Sequence, residues 1–140
     1  MKAAELLQWE IEYAVGEAEV DAQHKELMYL INDLINHSTG SLAEGKKYFA
    51  EKGPMIGEHA ITHFETEEKL LIKTSYKNLE DHKKEHENLT SKIVTIQNKL
   101  SSSEDVNLFN LTVIFREWFL THILLYDIEA KDFFRIGSKD

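Results

Sequence analysis

The stretch LEDHKKEHENLTSKIVTIQNKL, residues 79–100, decides the fold. Its opening is strongly charged, yet Leu79, His82, His86, Leu89, Ile93, Ile96 and Leu100 recur at three- and four-residue steps. That period builds one inward stripe on a helix. Two stripe positions are histidines four residues apart, which places both side chains on one face. They are either surface residues or two ligands facing inward from one wall, and the other helices decide between these.

Three more segments carry such a stripe. From about Val20 to Asn36 it is Val20, His24, Leu27, Ile31 and Leu34, after which HSTGS breaks the helix. From about Ser41 to Lys73 it is Ile56, Ala60, His63, Glu67 and Leu70 or Leu71, with Ser41 and Glu44 at the spacing of a capping box. Gly53-Pro54 lies inside this segment, so a kink or short break is expected there. From about Val106 to Ala130, after SSSED, it is Leu108, Leu111, Phe115, Trp118, His122 and Leu125. A short last turn would hold Phe133 and Phe134 against the bundle end. Residues 1–19 read as an extended N-terminal arm, in which Trp9, Ile11, Tyr13 and Val15 alternate with other residues. The expected fold is all-α, an antiparallel up-down-up-down four-helix bundle, as one domain over residues 1–140.

Composition agrees. Hydrophobic residues make up 42% of the 140, enough for a core, and a single proline argues against a turn-rich β fold. A net charge of −9 disfavours nucleic acid and anionic membranes as partners. With no cysteine there are no disulfides, thiolate metal sites or cysteine nucleophile. The opening MKAAELLQWE has no apolar run long enough for a signal sequence, and no segment reads as able to span a bilayer. A cytoplasmic protein is expected.

In an up-down-up-down bundle the start of helix one lies beside the end of helix two, the start of helix three and the end of helix four. His24, His63, His82, His86 and His122 therefore fall at one end. Glu67 follows His63 by one turn; Asp127 follows His122 by five residues, further round than a regular turn would place it. One histidine on an apolar face is usually a core residue with a local partner. Five in one layer are different: each unpaired buried polar group costs about 2–7 kcal/mol, against about 5–15 kcal/mol for a whole fold. A metal uses each lone pair and removes that cost.

Seven ligands exceed one tetrahedral or octahedral ion. If both carboxylates and one solvent-derived oxygen bridge two ions, five histidines divide three and two. One ion is then six-coordinate and the other keeps an open position. Imidazole and carboxylate suit iron, zinc and copper better than magnesium or calcium. No histidine here has a glutamate three residues before it, so the Glu-x-x-His design of ferritin-like centres is absent.

The ordered set H, H-x3-E, H-x3-H, H-x4-D resembles the hemerythrin family, in particular its bacterial single-domain members, the bacteriohemerythrins. The resemblance runs through Trp9, Val15-Gly16, DAQHKEL at 21–27, HFETEE at 63–68, HKKEH at 82–86 and WFLTHILLYD at 118–127. It implies reversible O2 binding, for storage, delivery or sensing, at a non-haem di-iron centre. His82, His86 and His122 would hold one iron and His24 and His63 the open one. Glu67, Asp127 and an oxo or hydroxo group would bridge. O2 would occupy the open position, which would also admit NO or small anions. An oxidase, peroxidase or NO-handling enzyme on the same scaffold is the alternative, and a metal-free interaction bundle or a purely structural metal is a third reading. Leu27, Met28, Phe64, Trp118 and Ile123 are candidate walls of a dry pocket, Tyr126 lies near it, His59 is a spare histidine one turn before His63, and His37 reads as solvated.

Overall fold

The computed structural model describes residues 3–102 and 105–139. Among these, every regular element is helical. A short 3-10 turn, Ile11–Tyr13, precedes α1 (Ala18–Asn36), α2 (Leu42–Lys73), α3 (Leu79–Ser101) and α4 (Leu108–Thr121). A π-helical segment, His122–Asp127, then leads into α5 (Ile128–Gly137). The helices form the expected up-down-up-down bundle, with α2 packed against both α1 and α3 and α1 against α4.

Side chains set the helix starts. Glu17 caps α1 by accepting from the Val20 amide at 2.8 Å, Ser41 caps α2 at the Glu44 amide, and Asn107 caps α4 at the Asn110 amide. Ahead of α1, Gly16 adopts φ 84°, and the Asp21 carboxylate accepts from the amides of Val15 and Gly16 at 2.8 and 3.1 Å. Gly45 allows α2 to meet the start of α4, since a Cβ there would stand 2.3 Å from Leu108 Cδ1.

Several expectations need correction. Of the kink or short break expected at Gly53-Pro54, the break is absent: α2 is continuous there. The carbonyl that loses its helical partner belongs to Ala50, which is exposed, so water can satisfy it. The fourth helix does not end near Ala130: the π segment carries it on to Gly137 with Phe134 fully buried. That segment shifts the register, so Leu125 is 61% exposed while Ile123 is enclosed. As a result, one helical run, Leu108–Gly137, is long and apolar enough to cross a membrane by length and composition. Its apolar face is accounted for by the bundle core, where Phe115, Phe119, Ile123 and Phe134 are buried. In the arm Leu7 and Val15 are buried, but Ile11 is 80% exposed and does not pack on the body. Of the linker SSSED, Ser103 and Glu104 lie outside the described residues.

The core is two apolar clusters. The larger holds Leu27, Ile31, Leu34, Phe49, Ile56, Leu89, Ile93 and Phe115; the smaller holds Val15, Val20, Leu71, Tyr76, Ala130 and Phe134. Along every helix, the buried histidines and carboxylates fall between residues of the two clusters. His24 lies between Val20 and Leu27, and Glu67 between Phe64 and Leu71. The bundle thus sandwiches one polar layer between two apolar ones.

Candidate metal centre

All seven residues singled out from the pattern meet in that layer, and each is buried. Glu67 is its hub. Its Oε1 lies 3.1 Å from His82 Nε2, 3.0 Å from His86 Nε2 and 3.3 Å from His122 Nε2. Its Oε2 lies 2.9 Å from His63 Nε2 and 3.4 Å from His24 Nε2. Asp127 Oδ2 is 2.8 Å from His24 Nε2 and 3.0 Å from His122 Nε2, and Oδ1 is 3.3 Å from His82 Nε2. His122 therefore stands between the two halves, near Glu67 Oε1 on one side and Asp127 Oδ2 on the other. The π segment explains Asp127: an i→i+5 turn returns a residue five positions on to the face that His122 occupies.

Hydrogen-bond logic shows what the layer lacks. The Thr66 hydroxyl donates to the Thr62 carbonyl, so its oxygen accepts from Gln23 Nε2 at 3.0 Å. That turns the Gln23 carbonyl towards His63, whose Nδ1–H donates to it at 2.8 Å. His86 Nδ1–H likewise donates to Glu68 at 2.8 Å. Neutral His63 then presents a bare Nε2 lone pair to Glu67, acceptor facing acceptor at 2.9 Å, and His86 Nε2 stands 3.0 Å from the same carboxylate. Among the described residues, every buried side-chain polar atom without a hydrogen-bond partner, other than Trp118 Nε1, belongs to this cluster. Two donors bound at about 2.1 Å and at right angles around one ion stand about 3 Å apart, which is the spacing seen here. The residues fit a metal site.

The hemerythrin HHE cation-binding domain model matches residues 15–129, nearly all of the bundle. The chain belongs to the hemerythrin family. It is 26% identical over 112 residues to a bacteriohemerythrin of Methylococcus capsulatus, covering 80% of this chain and 83% of that one. It is 25% identical over 121 residues to a bacteriohemerythrin of Stenotrophomonas maltophilia, covering 84% and 74%. A crystal structure of wild-type hemerythrin superposes with a TM-score of 0.83 at 23% identity, over 93% of this chain and 98% of that one.

Charge in this hemerythrin layer is finely divided. Burial disfavours the charged form of His24 and His82, but Asp127 and Glu67 outweigh it and push both up to about 9. Burial also opposes charging of His122, and the same carboxylates again prevail and raise it. Burial wins at His63, which is held below the ordinary histidine value. Glu67 and Asp127 are held low: burial and, for Asp127, the Glu67 charge push up, but the facing histidines prevail.

The walls are aromatic. Phe64 stacks on His86 with ring centroids 4.1 Å apart, and Trp118 meets Phe64 edge-on at 6.5 Å. Phe119, not anticipated from the pattern, stands edge-on to His24 at 6.4 Å. Leu27 and Ile123 are buried in the adjoining core, and Met28 is half-buried against it. Gln23 and Glu68 were also missed as ring partners, although both sit beside a proposed ligand in sequence, where a histidine's second nitrogen commonly finds its partner. Tyr126 lies edge-on to His82 at 6.2 Å. His59 is not in the layer; it faces Glu26 at 3.6 Å on the surface. His37 is exposed, as expected, and also stacks on Tyr48 at 3.7 Å and bonds the Asp33 carbonyl.

Proposed function

We infer that this hemerythrin binds O2 reversibly at a non-haem di-iron centre held by His24, His63, Glu67, His82, His86, His122 and Asp127. The observation that carries this reading is the way Glu67 faces histidines on both sides, His82 and His86 at Oε1 and His63 and His24 at Oε2, with His122 between the two halves. One ion on each side of Glu67 would use the facing lone pairs. With fewer protein donors, the His24/His63 side would leave room for a small ligand.

When bound, the iron pair supplies the electrons that hold and release O2. The chain's residues do the rest. Glu67 and Asp127 fix the separation of the two halves. Gln23 and Glu68 hold the rings of His63 and His86 with Nε2 inward. Phe64, Trp118 and Phe119 keep water from the layer, which favours release of intact O2 over irreversible oxidation. These apolar walls support carriage rather than turnover of an organic substrate.

The test is metal analysis followed by anaerobic loading with ferrous iron and exposure to O2. About two irons per chain and an absorption band that appears with O2 and vanishes under vacuum are expected. A band that never reverses, or steady O2 or NO consumption with a reductant, would favour the enzymatic alternative.

A further inference from the structure

The two histidines with defined Nδ1 partners sit in opposite halves of the layer, and their partners differ in charge. His63, on the Glu67 Oε2 side, donates to the neutral Gln23 carbonyl at 2.8 Å. His86, on the Oε1 side, donates to the Glu68 carboxylate at 2.8 Å. Both rings are firmly held. Gln23 is locked by Thr66, and the His86 ring lies against Phe64 with only 13° between planes. By contrast, the Nδ1 atoms of His24 and His122 are buried with no hydrogen-bond partner among the described residues.

A carboxylate behind an imidazole draws on the Nδ1 proton and pushes electron density to Nε2, which makes that nitrogen a stronger donor to a cation. An amide carbonyl orients the ring but pushes far less. Glu68 is also part-exposed, with a side chain 26% accessible. It lines a cavity of about 480 Å³ between α2 and α3 together with Phe64, Lys83 and His86.

We propose that Glu68 is a positioning residue that makes the His82/His86 half of the centre the tighter-binding half, while Gln23 keeps the His63 half the weaker. The asymmetry is thus built into the layer by two side chains that touch no metal. It rests on the two-metal reading above.

The experiment is stepwise titration of the metal-free full chain with Co2+, read by its visible spectrum and by calorimetry, for wild type, Glu68→Gln and Gln23→Glu. Glu68→Gln keeps the shape and a hydrogen-bond acceptor but removes the charge. Wild type should bind two equivalents with resolved affinities. Glu68→Gln should weaken the tighter step by about 10–100-fold and leave the other unchanged. Gln23→Glu should tighten the weaker step and bring the two together. Circular dichroism of the metal-free variants shows that both fold, and Glu68→Asp, which keeps the charge, should restore part of the lost affinity. Unaltered steps in Glu68→Gln, or an equal loss in both, would overturn the inference while leaving the two-metal reading intact. Wild type taking up fewer than two equivalents would sink both.

Discussion

Oε2 of Glu67 lies 2.9 Å from Nε2 of His63, and the proton on His63 Nδ1 is already committed to Gln23. Each therefore offers a lone pair to the other, an arrangement that only a cation between them relieves. Because Glu67 faces histidines on both sides, it should matter more than any of them. Glu67→Ala is expected to abolish uptake of both irons, whereas His63→Ala should cost about one per chain. Elemental analysis after identical loading separates the two. Retention of a full iron complement in Glu67→Ala would rule out its bridging role.

Metal and protons compete for this layer, and the pH dependence has opposite signs with and without metal. His24 and His82 are raised to about 9 by Asp127 and Glu67 acting against burial, so the metal-free fold carries protons where the metal would sit. Their stabilisation is fully present below the unfolded histidine value of about 6.5 and is lost as pH rises through about 9. His122 acts in the same direction; His63, held low by burial, opposes them. Glu67 and Asp127, held low, contribute stability above the ordinary carboxylate range that is lost in acid. Melting temperature of the chelator-treated chain should therefore fall between pH 6.5 and 9. The iron-loaded chain should be the more stable form at neutral pH and lose metal as pH drops below about 6.5. Parallel pH profiles for the two forms would count against this account.

Much of this was legible because period and topology are local and coarse properties. The stripes of α1, α2 and α3 placed His24, His63, Glu67, His82 and His86 in one layer with no geometric detail. Asp127 was harder, since only a π turn brings H-x4-D onto one face, and that same turn moved Leu125 out of the core. Gln23 and Glu68 were illegible for another reason. Their positions look like those of a solvated helix flank, and their role appears only once the neighbouring ring's second nitrogen is located.

Pro54 sits within an unbroken α2, with its side chain exposed and outside the polar layer. A proline in a helix interior costs about 3 kcal/mol through its missing donor and its clash with the preceding turn. Since Ala50 can hand its free carbonyl to water, part of that cost is already relieved. Pro54→Ala is expected to stabilise the chain by about 1–3 kcal/mol without altering iron uptake. Urea unfolding of the metal-free protein measures the gain. A loss of stability would mean that α2 needs the proline's shape against α3.

Phe119 is 2% exposed and meets His24 edge-on, on the side of the layer with two histidines. Removing its ring should do two separable things. Phe119→Ala should cost about 3–5 kcal/mol of stability, as deletion of a buried aromatic usually does. It should also admit water beside the position proposed for O2, so that the O2-dependent band decays irreversibly several-fold faster. Phe119→Leu, which keeps the space apolar, should lose less stability and slow the decay relative to Phe119→Ala. Following the band over time in air, with stability measured in parallel, distinguishes the effects. Unchanged decay alongside lost stability would make Phe119 a packing residue only.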